Sequence, residues 1–168
     1  MPLCFAYGSN MDVAAMASRC PGSRAIGVAR LMRHRFVIMP EGFANVLASP
    51  HGHVPGVLWD VALGDMRALD AYERVAQGLY TKVMQPVVKA AGGSARALVY
   101  MGRGEGGRPA PAYMAGIIAA ASAWQLPDAH VKKLGAFAPR VSEAGDLTSG
   151  AVDRPKVTPR FATPFDRR

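Results

Sequence analysis

The apolar run Leu3-Cys4-Phe5-Ala6 stops at Tyr7-Gly8-Ser9-Asn10, and this junction constrains the fold more than any other stretch of the chain. A short apolar run bounded by turn residues predicts a buried strand. The Gly-Ser-Asn step predicts a sharp turn with N–H groups left free. Successive free N–H groups form a cradle for a carboxylate or phosphate. Asn10 or Asp12 can then cap a helix through Met11–Ser18, whose N-terminus adds partial positive charge. Taken alone, the four residues also fit an ordinary strand-to-helix turn.

A second stretch adds chemistry. Gly56-Val57-Leu58-Trp59-Asp60-Val61 reads as a strand, and Leu63–Val75 has helical character with Asp65 as its expected cap. Met66, Leu69 and Glu73 then share one face, because three and seven residues are about one and two turns. A carboxylate that projects with apolar side chains sits at a pocket rim or is costly to bury. Desolvation would raise its pKa and make it a proton carrier near neutrality. The plainer alternative pairs Glu73 with Arg67, Arg74 or Lys82 at the helix end.

Together these residues resemble the gamma-glutamylcyclotransferase-like (AIG2-like) family. That family has Tyr-Gly-Ser-Asn after its first strand, a Gly-Val-hydrophobic-Trp strand leading to Leu-Asp-x-x-Glu, and a Gly-hydrophobic-Tyr strand start. The counterparts are Tyr7–Asn10, Gly56–Trp59, Leu69-Asp70-Ala71-Tyr72-Glu73 and Gly78-Leu79-Tyr80. The likeness runs from Leu3 to about Phe137. It departs where the family often has Gly after the glutamate, here Arg74, and in Gln125-Leu126-Pro127, where Gly-Leu-Pro is common.

The resemblance implies an α+β fold, a small mixed β-barrel with helices packed around it. It also implies an enzyme that cyclises a gamma-glutamyl amine or amino acid to 5-oxoproline, with Glu73 as general acid and base. Tyr7, Gly8, Ser9, Asn10, Tyr80, Tyr100 and Tyr113 would bind the substrate. No metal or organic cofactor is needed, and the expected partner is a small gamma-glutamyl molecule.

Length and composition fit this. The 168 residues are most simply one body spanning 1–137 plus a Pro- and Gly-rich tail over 138–168, expected to be loosely held, with Phe161 and Phe165 as possible anchors. No apolar stretch approaches the roughly 20 residues that span a bilayer, and no basic segment precedes the first apolar run, so a cytoplasmic location is the default expectation. Two cysteines are too few for a disulfide scaffold.

The formal charge is +8, with Arg19, Arg24, Arg30, Arg33 and Arg35 clustered without an intervening acid. That run can attract nucleic acid. It carries no interleaved aromatics and no helix-turn-helix or zinc spacing, and a solvated strand face or attraction of an acidic substrate explains it better. A basic nucleic-acid-associated protein and a non-catalytic module for a small acidic metabolite are therefore the competing readings.

The other segments predict strands near Gly27–Met39, Tyr80–Val88 and Ala95–Met101, a hairpin turn at Gly92-Gly93, a largely buried helix over Ala112–Trp124 and another over Asp128–Ala136 opened by Pro127. Short turns between neighbouring strands favour antiparallel pairing. Gly102–Gly107 fits G-x-G-x-x-G, but Pro109 and Pro111 prevent a helix from opening there, so a flexible loop or lid is expected. His51-Gly52-His53 lacks further metal ligands and reads as an exposed turn. Nothing in the sequence positions Ser9 with His34 as a nucleophile pair.

Overall fold

A computed structural model of the chain describes residues 1–138. The tail and its two phenylalanines, Phe161 and Phe165, lie outside the described residues. Five strands, β1 (Leu3–Ala6), β2 (Arg24–Ile38), β3 (Ala44–Asp60), β4 (Thr81–Lys89) and β5 (Ser94–Met101), close into a barrel in the order β1-β3-β2-β4-β5. Four of the ladders are antiparallel, as short turns favour, and the closing β1–β5 contact is parallel. Helices α1 (Val13–Arg19), α2 (Met66–Tyr72), α3 (Pro111–Ala123) and α4 (Asp128–Gly135) complete a mixed α+β architecture. No helix among the described residues is long and apolar enough to cross a membrane.

The barrel interior holds the alternating apolar positions of its strands, including Phe5, Leu31, Val57, Val87 and Val99, all buried. β1 pairs along its whole length with the end of β3, from Leu3 opposite Asp60 to Ala6 opposite Val57. That pairing delivers Tyr7 to the rim. There the chain makes one 3₁₀ turn over Ser9–Met11 and enters α1. Asp12 caps α1, its Oδ1 accepting from Ala15 N–H at 2.7 Å. Loss of such a cap costs about 1 kcal/mol. Asp12→Ala is therefore expected to lower Tm by about 2–4 °C, a shift that a thermal melt resolves.

Several local expectations change. β3 begins at Ala44, twelve residues before the predicted Gly56. His51-Gly52-His53 reads as a turn, yet it lies inside β3 where the register with β2 shifts around Arg33, itself at φ 60°. The irregularity absorbs the turn-forming residues without ending the strand. Asp65 does not cap α2, because its carboxylate accepts from Gly22 N–H and the Ser23 hydroxyl at 2.9 and 2.7 Å.

Helix α3 is not buried all round. Met114, Ile117, Ala120 and Ala121 form its inner stripe, while Ala112, Ala115, Gly116 and Ala119 face outward. Small apolar residues tolerate exposure, so composition alone hides the amphipathic face. Pro127 precedes α4 as its N-cap residue. Gly92 and Gly93 take φ of 99° and 75° in the β4–β5 hairpin, which only glycine adopts without strain.

Residues Gly102–Gly107 are pinned to the barrel. Asn45 accepts from Gly102 N–H at 2.9 Å, Gly106 N–H donates to Ile38 O at 2.9 Å, and Arg35 holds Glu105 through two contacts of 2.6 Å. Gly107 lies so close to Met39 that a Cβ would stand 2.0 Å from its carbonyl oxygen. Gly102 and Gly107 thus allow close packing on Met39, just past the end of β2, while Gly104 and Gly106 take positive φ.

Candidate active site

Glu73 closes α2 as the residue after Tyr72, its N–H donating to Leu69 O at 3.0 Å. Its side chain turns towards the barrel mouth. It pairs with none of Arg67, Arg74 or Lys82, since Lys82 is held by Asp70 at 2.7 Å. Instead, Asn10 Nδ2 donates to Glu73 Oε1 at 2.5 Å. Arg19 in turn donates to Asn10 Oδ1, and its guanidinium lies 3.4 Å from the centre of the Tyr72 ring. The carboxylate thus sits at the end of a relay that fixes its orientation while keeping the formal positive charge one residue away.

Burial pushes the Glu73 carboxyl up to about 7, against the smaller lowering effects of the Asn10 hydrogen bond and Arg19. Desolvation wins because Asn10 is neutral and Arg19 is not in contact. A carboxyl at that value can both take and give a proton at neutral pH.

Glu73 shares a cavity of about 30 Å³ with Tyr7, Gly8, Ser9, Tyr80, Tyr100 and Tyr113. Every residue expected to bind substrate is brought to it, except that Asn10 acts from behind Glu73. Two further wall residues, Phe5 and Ala44, carried no sequence signal beyond their apolar character. The Gly8, Ser9 and Asn10 N–H groups have no backbone or side-chain acceptor among the described residues. Gly8 packs against Ala44, where a Cβ would come within 3.2 Å of the alanine methyl.

The tyrosines divide by what their hydroxyls do. Tyr7 donates to Tyr100 O at 2.5 Å, Tyr80 to Ala44 O at 2.5 Å, and Tyr100 to Asp70 Oδ1 at 2.7 Å. Tyr113 differs, because its oxygen accepts from Ala44 N–H at 3.0 Å and its own proton is available to donate. Burial pushes all four phenols above their ordinary range, so they are protonated at neutral pH. Among the described residues no tyrosine hydroxyl bonds to Glu73, whose carboxylate is held by Asn10. The Ser9 hydroxyl meets Tyr72 OH at 2.9 Å.

The other candidates do not join this site. His34, His51, His53 and His130 line a separate cavity of about 470 Å³. Among the described residues no group of three His, Cys, Asp or Glu is placed to hold a metal ion. The arginine run disperses, with Arg24 on Asp60, Arg35 on Glu105 and Arg19 behind Asn10. Ser9 and His34 face different cavities.

Fold and pocket together define a class: a small closed barrel with one buried carboxyl of raised pKa beside a turn of free N–H groups. Comparison with known proteins gives the class its family. A model of the AIG2-like family matches residues 53–134. The chain is 30% identical over 148 residues to gamma-glutamylcyclotransferase of Bos taurus and 29% identical to that of Homo sapiens, in each case across 82% of this chain and 79% of the relative. A solved structure titled gamma-glutamyl cyclotransferase superposes with a TM-score of 0.76 at 26% identity, covering 88% of this chain and 93% of that one. The chain belongs to the AIG2-like, gamma-glutamylcyclotransferase-like family.

Proposed function

We propose that this chain is a gamma-glutamylcyclotransferase-type enzyme that converts a gamma-glutamyl compound to 5-oxoproline and a free amine. The observation that carries the reading is Glu73, raised to about 7 and aimed by Asn10 into the cavity beside the Tyr7–Asn10 turn. Relatives that bear the name of this activity support it.

Substrate nucleophile and electrophile belong to one molecule, so the protein's main task is to hold it folded. Glu73 takes a proton from the substrate's α-ammonium group. The freed amine attacks the γ-carbonyl carbon, forming the ring C–N bond and a tetrahedral oxyanion. The N–H groups of Gly8 and Ser9 and the spare Tyr113 proton stabilise that oxygen. Glu73 then gives its proton to the leaving nitrogen and takes the surplus proton from the positively charged ring nitrogen as the old C–N bond breaks. That proton passes to the departing amine, so a neutral lactam and an ammonium product form and the carboxylate is regenerated. Tyr7, Tyr80 and Tyr100, their hydroxyls already bonded, act as walls. The cavity's about 30 Å³ accommodates little more than a water or two, so substrate entry displaces rim side chains.

The test is 5-oxoproline release from a panel of gamma-glutamyl amino acids, gamma-glutamyl amines and glutathione. Release from at least one member is expected. Ligand-induced thermal stabilisation with no release from any would instead identify a binding module of the same fold.

A further inference from the structure

The cavity of about 470 Å³ is walled by residues of β2, β3 and α4, and it shares no lining residue with the Glu73 cavity. Ligand pockets commonly measure roughly 300–1,000 Å³, so its size suits a small molecule. All four histidines of the chain line it. His130, in the first turn of α4, is the unusual one. It is 7% exposed, and its buried Nε2 has no hydrogen-bond partner among the described residues. A buried polar nitrogen without a partner loses its water and gains nothing in return. Burial pushes the His130 imidazole down to about 4, and Lys133 and His53 act in the same direction. Positive neighbours disfavour an imidazolium, so the surroundings of this ring are electropositive.

That charge is not cancelled from within. No Asp or Glu is among the lining residues. Arg35 is held by Glu105 at 2.6 Å, but Lys133 forms no ion pair among the described residues. Asp128 and Lys132, the other charged groups of α4, are exposed and do not line the cavity. His34 Nδ1 is bonded to Met32 O at 2.8 Å, which commits one ring nitrogen and leaves Nε2. The Ala129 N–H, in the first turn of α4, has no acceptor among the described residues. Such groups at a helix start favour anions. One uncommitted ammonium with these donors around it matches a single carboxylate. Much of the remaining wall is apolar. Pro55 and Leu134 are buried, and Phe36 meets His130 and Phe137 edge to face, with ring centroids 6.5 and 5.3 Å apart. Aromatic walls of this kind favour a flat ring.

We propose that this cavity is a second binding site, separate from the Glu73 pocket, for a small monoanion on a flat apolar body, that is, a ring-bearing carboxylate. The ring packs against Phe36, Leu134 and Phe137, and the carboxylate accepts from Lys133 and His130. The bound anion gives the orphaned Nε2 a partner and offsets the charge of Lys133.

Three probes separate the two halves of this chemistry. 2-Naphthoate has both, 2-naphthamide keeps the ring without the charge, and acetate keeps the charge without the ring. In calorimetric titrations of the full chain near neutral pH, naphthoate is expected to bind about tenfold or more tightly than either of the others. The His130 ring signals in NMR spectra should shift on binding, and their titration should move up from about 4, because a nearby anion favours the imidazolium. Lys133→Gln, at an exposed position, brings naphthoate towards the naphthamide value and leaves naphthamide unchanged. His130→Phe keeps the ring packing, removes both nitrogens and weakens naphthoate about tenfold. Glu73→Gln binds naphthoate as the wild type does, so the outcome is independent of the cyclotransferase reading. Equal affinity for naphthoate and naphthamide, or naphthoate binding unchanged in Lys133→Gln, overturns the proposal. So does binding that shifts the tyrosines of the Glu73 cavity and leaves His130 unmoved. Absence of binding overturns it too, whether the cavity does not admit the ring or residues 139–168 fill it.

Discussion

Glu73→Gln is expected to reduce kcat for 5-oxoproline release by about 10²–10⁴-fold, the range for removal of a general acid–base group. Gln preserves the shape and still accepts from Asn10, so the loss isolates proton transfer. In the wild type, kcat/KM should rise with pH through about 7 as Glu73 ionises, then level off. The residual activity of the variant should lack that inflection.

The same substitution is expected to stabilise the protein in alkali. The Glu73 carboxyl is raised from its ordinary 4.5 to about 7 by folding, so the folded state holds a proton that the unfolded state has released between those values. Its contribution is complete below 4.5 and is lost as pH rises through 7, leaving an ionised, half-buried carboxylate that costs on the order of 2–3 kcal/mol. Gln carries no such cost. The variant's Tm should exceed the wild type's at pH 8 and the gap should close towards pH 4.5. Full activity in a folded Glu73→Gln protein would remove Glu73 from the mechanism.

Gly56→Ala is expected to produce a large loss of stability. A Cβ at this position would stand 2.2 Å from Ala6 O and 2.7 Å from Phe5 Cζ. Overpacking commonly costs about 1–3 kcal/mol. Here the obstruction is a backbone carbonyl of a paired strand, which cannot swing aside like a side-chain tip, so the upper end or more is expected. At about 2–4 °C per kcal/mol, Tm should fall by roughly 6–12 °C. Gly64→Ala is the control, because nothing lies within 4 Å of its Cβ position. Comparable melts for the two variants would mean that β1 and β3 do not pack this tightly. The displaced β1 also carries Tyr7 and Gly8, so activity should fall with stability.

Much of the site was legible in the sequence because its signals are local. A strand ending in Gly-Ser-Asn and a carboxylate at helical spacing from Met66 and Leu69 each depend on neighbours a few residues away, whereas Tyr80, Tyr100 and Tyr113 came only with the family resemblance. What was not legible depends on chain segments meeting in space. Asn10 looked like a helix cap, and its bond to Glu73 exists only because β1 and α2 converge at the barrel mouth. Arg19 belonged to a charge run and proves to be a stacked donor behind Asn10. Antiparallel pairing followed from short turns, but no turn announces the parallel contact between β1 and β5. Asn45, buried and bonded to Gly102 N–H and Gly104 O, fastens a glycine-rich stretch that composition alone marks as loose.

β1 meets β3 through four paired positions but meets β5 through one, Cys4 opposite Leu98. The barrel therefore has a thin line in its wall, and that line runs into the Gly8–Asn10 turn. Thermal breathing should start there, like a zipper parting at its last tooth. In the proposed reaction an anion held across the Gly8–Asn10 turn would bridge that weak point, and an occupied site and a closed barrel would share the same fastening.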